Sequence, residues 1–413
     1  MVYVYCSYYV PKSYGISCMY YFVSTLNRKG IPTRILCHEL ENLSFPLPEE
    51  FKPYFISHAA MPNEISDEDV VIYSDIVQGN PMDAKRVIRW LMNKPGFLTQ
   101  QSFKFLSRYV LVAYSTLVDT DMEQLFYLID ERKLFDEIKE KYGKHSKDTV
   151  TVYFGKVHNS VIKEKNELLE EILSDYQKVN VITRHWPKSR RQTLQLIAES
   201  DLLISYDCLT NLNLESTLAG TPVLMMDDTY GIKEKHFNIN DSGFAYSKDE
   251  IAEAKKNIPF VYQDYSHWLD NQDDYIYRQV TSLLKKIELL EKDPEERRKN
   301  GAYNMEYYEK AYADYLERGE EEPITNIDIF EQIPLETIRV IYGNNRIVFR
   351  KESWKKTEDE LDNENSELSN DHQYSGIGAR LLPNWRDKTY LKYPGDLTFK
   401  ELLFLAFRRL FKH

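Results

Sequence analysis

Apolar positions in the first 145 residues switch between two periods. Residues 2–9 form an aromatic and β-branched run that reads as a strand. Pro11 and Gly15 follow, then an amphipathic helix over 16–26, which Gly30 and Pro32 stop. Strands are predicted at 33–37, 55–59, 70–73 and 109–114, and a helix at 83–92, ahead of Pro95-Gly96. A second alternation starts near Thr149. Its strands are predicted at 151–154, 179–183, 202–206 and 223–226, with helices at 161–173, 191–199 and 211–219. Strands spaced by helices imply a mostly parallel sheet covered on both faces. Two such units in tandem predict an α/β protein with two Rossmann-like domains facing a cleft.

The remainder is less regular. Residues 251–319 read as helical, with 275–291 the strongest amphipathic run, and 338–342 and 346–350 flank Gly343-Asn344-Asn345 as a β-hairpin. Residues 353–371 are acidic and polar and read as a flexible linker. Residues 398–413 read as an amphipathic helix, capped by Thr398 and Glu401 and ending in Arg408, Arg409 and Lys412. The expected domains are 1–147, 148–320 with its trailing helices, a hairpin extension at 321–352, the linker at 353–372 and a tail at 373–413.

Composition narrows the classes. With 42% hydrophobic residues the chain can build real cores, and no stretch approaches the ~20 apolar residues of a membrane span. A net charge of −12 argues against a general nucleic-acid binder. Fifteen glycines and four cysteines exclude collagen-like and disulfide-scaffold chains. Cys6, Cys18, Cys37 and Cys208 show no metal-ligand spacing and read as buried thiols. The start, MVYVYCSYYV, lacks the basic segment and long apolar run of a signal peptide, so a cytoplasmic protein is expected.

Candidate chemistry centres on DLLISYDCLTNLNLESTLAGTPV, residues 201–223. A strand ends near Asp207, and a helix starts near Asn211 after the turn that holds Thr210. Amides at such a helix start face phosphate. Asn211 and Glu215 lie one turn apart on one face. A carboxylate would repel phosphate, so Asp207 and Glu215 suit sugar hydroxyls better. Ligands of open parallel sheets bind at the carboxyl ends of strands. That rim also holds Gly155-Lys156 and Arg184-His185-Trp186-Pro187-Lys188. Arg184 and Lys188 suit phosphate there, and Trp186 suits the border of a base.

The segment resembles the retaining GT-B glycosyltransferases that carry E-x7-E followed by E-A-x-x-x-G-x-P-V. Asp207 stands in place of the first Glu, Glu215 matches the second, and Gly220, Pro222 and Val223 follow. Cys208-Leu209-Thr210 replaces the usual Gly-Phe-Gly. The resemblance implies that Glu215 holds the ribose of a nucleotide-sugar donor, that Asp207 contacts the transferred sugar, and that the 209–212 turn faces the diphosphate. It further implies that Lys156, with Lys163 or Lys165, neutralises the diphosphate. The glycine-bearing loop with Ser13 and Gly15 would approach the donor or acceptor across the cleft. The activity implied is sugar transfer to a glycan or lipid-linked glycan acceptor of bacterial surface polymers, with retention and no required metal or other cofactor. Lys94-Pro-Gly and the Asn80-Pro-Met-Asp83 segment are loosely similar to bacterial polysaccharide glycosyltransferases, and His58 is an acceptor-side candidate.

Other readings stay open. Asp119-Thr120-Asp121 resembles the metal-binding D-x-D of GT-A glycosyltransferases. A nucleotide-sugar epimerase would share the donor site. A non-catalytic glycan- or membrane-binding protein would suit a scaffold that lost its glycines. The basic amphipathic helix at 398–413 fits a membrane interface near a lipid-linked acceptor, and equally well protein docking.

Overall fold

The computed structural model describes residues 1–318, except 12, 41–45, 64, 95–104, 144–145, 156–165, 183–186, 188, 229–230 and 236, together with the strand backbones at 337–342 and 345–350. The expected linker at 353–372 and the helix at 398–413 lie outside the described residues.

The first unit holds strands β1 (Val2–Cys6), β2 (Thr33–Cys37), β3 (Phe55–Ile56), β4 (Val70–Ser74), β5 (Arg86–Leu91) and β6 (Tyr109–Ala113). They form one sheet in the order β3-β2-β1-β4-β5-β6, all parallel. This is the Rossmann order, with a reversal between β1 and β4 where ligands collect. Helix α1 (Tyr14–Arg28) crosses from β1 to β2 and buries Cys18, Tyr20, Phe22, Val23 and Leu26.

Residues 83–92 are a correction. The i, i+1, i+3, i+4 spacing of Val87, Ile88, Trp90 and Leu91 suggests a helix, yet these residues form β5. The strand is interior and covered on both faces, so its apolar positions run together instead of alternating. All four side chains are fully buried. Arg89 is buried among them because its guanidinium lies 4.9 Å from the Tyr73 ring and 5.5 Å from that of Tyr109. It donates to the carbonyls of Val77 (2.7 Å) and Gly79. Burial lowers its pKa to about 10. A helix missed by the sequence reading, α2 (Arg132–Tyr142), leads out of this unit.

The second unit holds β7 (Ser146–Tyr153), α3 (Asn166–Leu173), β8 (Lys178–Ile182), α4 (Arg190–Ala198), β9 (Ser200–Ser205), α5 (Leu212–Leu218), β10 (Val223–Met225), α6 (Ile232–Lys235) and β11 (Phe244–Ala245). Its sheet runs β11-β10-β9-β7-β8 and continues into β12 (Thr337–Tyr342) and β13 (Asn345–Arg350). The expected hairpin therefore extends an existing sheet: β12 pairs parallel with β8 and antiparallel with β13.

Helix α7 (Ile251–Lys292) is followed by α8 (Pro294–Arg318). Helix α7 starts on the second unit, where Ala254 joins the core around Val150, Leu202 and Leu224. It then runs onto the first unit, where Val261, Tyr265, Ile276, Val280, Leu283, Ile287 and Leu290 join that core. Leu194 and Ala198 of α4 and Leu214 and Leu218 of α5 join the same cluster, so the two units share an apolar junction. No helix among the described residues is long and apolar enough to cross a membrane.

Candidate active site

Strands β7 and β9 are parallel neighbours, and their carboxyl ends bring Gly155 beside Asp207. Gly155 has φ +61°, a conformation that costs most side-chain-bearing residues energy. A Cβ there would also lie 2.5 Å from Asp207 Oδ2 and 2.8 Å from its Cγ. The backbone at 155 and the carboxylate at 207 are thus packed as one feature.

Asp207 is 3% exposed. Its Oδ1 accepts the amide of Leu209 at 3.2 Å, closing the turn. Its backbone carbonyl accepts Asn213 Nδ2 at 2.9 Å. The Thr210 hydroxyl accepts the Leu212 amide at 3.4 Å. The amides of Leu209 and Leu212, in the turn expected to face the diphosphate, are therefore engaged by side chains of the turn itself. The Cys208 thiol lies 3.6 Å from Asp227 Oδ2; burial, with Asp227 and Asp207 nearby, pushes its pKa far up, so it is no thiolate nucleophile.

Asn211 and Glu215 face the same way, and Asn211 Nδ2 donates to Glu215 Oε1 at 2.8 Å. The same oxygen is met by Arg190, whose Nε donates at 3.3 Å and whose Nη2 lies 3.1 Å away. Nη1 of Arg190 donates to Glu131 Oε1. Arg190 starts α4 behind a capping box formed by Ser189 and Gln192, whereas Glu131 precedes α2 in the first unit. Their ion pair spans the junction. The rings of Tyr14 and Phe135 flank the guanidinium at 5.9 and 6.0 Å. Burial disfavours its charge, but the carboxylates of Glu215 and Glu131 outweigh that and hold its pKa above the ordinary value. Glu131 moves up as well, through burial, which the Arg190 charge only partly offsets.

The G-x-P part of the motif has a structural explanation. Gly220 has φ +101°; its amide bonds the Thr217 carbonyl at 3.0 Å, and that of Thr221 bonds Ser216 at 2.9 Å. This ends α5. Chemical interest therefore concentrates on Gly155, Asp207, Asn211 and Glu215.

The structure brings these four to one rim and adds Arg190, Glu131 and Tyr14, none of which the sequence reading named for a role. Arg190 and Glu131 lie 59 positions apart, so no local spacing announces their pairing. Ser13 precedes α1 without capping it through its side chain. A Cβ on Gly15 would meet only Met92 Sδ, at an ordinary 3.8 Å, so no close approach demands glycine there. His58 is exposed in a short 3-10 turn that follows β3. Asp119 Oδ1 accepts the amides of Asp121 (2.9 Å) and Met122 (3.0 Å), which makes it a turn former. Among the described residues, no three His, Cys, Asp or Glu side chains cluster to hold a metal ion. Lys156, Lys163, Lys165, Arg184, His185, Trp186 and Lys188 lie outside the described residues.

No protein-family model matches the chain, and no curated protein matches it. Solved structures do. WaaG, a glycosyltransferase involved in lipopolysaccharide biosynthesis, is 13% identical with a TM-score of 0.40, covering 70% of this chain and 99% of that one. The wall teichoic acid polymerase TagF is 12% identical with a TM-score of 0.27, over 78% and 90% of the two chains. A glycosyltransferase from Rickettsia africae is 13% identical with a TM-score of 0.34, over 78% and 99%. The strand orders themselves identify the chain as an α/β protein of two Rossmann-like units, the architecture that the GT-B resemblance implies.

Proposed function

We propose that the protein transfers a sugar from a nucleotide-diphosphate sugar to a glycan or lipid-linked glycan acceptor, with retention and without a required metal. The observation that carries this reading is the rim of β7 and β9. There, a glycine backbone lies against the Asp207 carboxylate, one short turn from the Asn211–Glu215 pair. Asp207 orients the sugar, and Glu215 accepts hydrogen bonds from the ribose. In the transfer step the bond from C1 to the diphosphate oxygen breaks. The acceptor oxygen bonds C1 on the same face, and its proton passes to the departing diphosphate. Cations at the strand ends, Lys156 and Arg184 by resemblance, would stabilise that leaving group. Surface-polymer synthesis and attachment of the 398–413 helix to a membrane interface belong to the same proposal.

One observation favours a second reading, a non-catalytic binder on a degenerate scaffold: the Leu209 and Leu212 amides are already engaged within the turn. Turnover decides. Nucleoside diphosphate release is measured from a panel of nucleotide sugars with a glycan or lipid-linked acceptor and EDTA. The transferase reading expects acceptor-dependent release that falls at least 100-fold in Asp207→Asn. Donor binding without release would establish the second reading instead.

A further inference from the structure

The two oxygens of Glu215 are treated differently. Asn211 and both near nitrogens of Arg190 meet at Oε1, and no described residue donates to Oε2. Two buried atoms beside it lack hydrogen-bond partners among the described residues: Arg190 Nη2 and Asn211 Oδ1. Nη2 contacts Oε1 as an ion pair but makes no hydrogen bond with it. Buried polar atoms are ordinarily satisfied, so such a cluster of exceptions needs an explanation. Together they offer one N–H donor and two acceptors, Oε2 and Oδ1. Two adjacent hydroxyls present two O–H donors and oxygen acceptors, the complement of that set.

Arg190 is fixed from the other side. Glu131 takes Nη1, and the Tyr265 hydroxyl on α7 receives the Glu131 amide at 3.1 Å while donating to the Ile129 carbonyl at 2.8 Å. A guanidinium held by a carboxylate from each unit and flanked by two rings is preorganised. We propose that Arg190, tethered through Glu131 to the first unit, is a specificity-determining residue that reads the ribose 2′,3′-diol of the nucleotide together with Glu215 Oε2 and Asn211 Oδ1. This rests on the donor-site reading of Glu215 and adds to it a cross-unit arginine. The role needs one unit to supply the acid that holds the arginine and the other to supply the arginine itself.

The test uses the full chain and calorimetric titration with UDP, GDP, CDP, ADP and TDP, and with the 2′-deoxy counterparts of the ribonucleotides. These probes carry no hexose, so an effect on them places the diol in the ribose. The expected result is that one ribonucleotide binds about tenfold or more tightly over its 2′-deoxy form. Arg190→Lys retains the charge but loses the forked donor; it should cut the ratio by at least about threefold, with the loss of affinity falling mainly on the ribonucleotide. A merely structural role would weaken both forms alike and leave the ratio unchanged, which would overturn the proposal. Equal binding of the two forms by the wild type would overturn it without any variant, even if Arg190→Lys failed to fold. If the wild type bound no nucleotide, the donor-site reading itself would fall.

Discussion

Gly155 has no room for a side chain. Its φ of +61° and the Asp207 carboxylate 2.5 Å from a would-be Cβ mean that Gly155→Ala must strain the backbone and displace the acid. A stability loss of about 1–3 kcal/mol is expected, with a larger proportional loss of donor binding. Denaturant unfolding and nucleotide titration check the two together; wild-type binding by the variant would contradict the packing argument. Arg190 and Glu131 behave oppositely under truncation. Arg190→Ala leaves two acids facing each other across the junction, which costs about 3–5 kcal/mol. Glu131 has a folded pKa above its ordinary 4.5, so its favourable contribution is present below that value and is lost as pH rises through the folded one. Glu131→Gln should therefore change stability at neutral pH by less than about 1 kcal/mol, since Arg190 keeps Glu215. A loss as large as that of Arg190→Ala would show that the Glu131 charge itself holds the junction.

Helix α7 is the element that braces the site. Gln272 is buried and clasps the backbone of Leu128, accepting its amide at 2.7 Å and donating to its carbonyl at 2.8 Å. Gln272→Ala strands both groups and should cost about 2–4 kcal/mol in urea unfolding; a cost under about 1 kcal/mol would contradict the clasp. The flanking acids give this seam a pH dependence. Asp130 lies below the ordinary 3.8 through its bond with Arg132, Asp136 through that from Tyr262, and Asp274 through that from Lys29. Depressed acids contribute above their unfolded-state value, and the contribution is lost as pH falls through the folded one. Stability should decline below about pH 4, and Tyr262→Phe should flatten that decline when followed by near-ultraviolet circular dichroism. A Tyr262→Phe acid profile parallel to that of the wild type would contradict the assignment. At this scale the sequence was most legible where two periods alternate, as in β1, α1 and β2, and from β8 through α4, β9 and α5 to β10. It misled at β5, where burial on both faces removes alternation, and it passed over α2, whose apolar content is low.

For the whole molecule, two Rossmann-like units were readable from order alone, but their joining was not. The contacts that join them lie far apart in sequence: α7 reaches both cores, α4 and α5 pack against the first, and Asn238 accepts the Thr116 amide at 2.9 Å. One helix shared between two cores predicts a single cooperative transition in calorimetry. Leu283→Ala, in the first core, should lower all of it by about 2–4 kcal/mol. Two separate transitions, only one of them shifted, would contradict the shared core. The candidate site divides in the same way. Asp207, Asn211, Glu215 and Gly155 were legible because strand ends and helix starts have local signatures. Arg190 and Glu131 were not, because their relation exists only once the units meet.

Binding of a nucleotide donor at this rim is read most simply from the melting temperature. The wild type and Glu215→Ala are heated with UDP, GDP, CMP, ADP and TDP, each with EDTA and with Mg²⁺. A ligand at 100 times its dissociation constant adds about 2.7 kcal/mol to the folded state. A clear upward shift of the wild type is expected with one nucleotide, the same in EDTA and Mg²⁺, with most of that shift lost in Glu215→Ala. No shift with any nucleotide, or an equal shift in the variant, would contradict it.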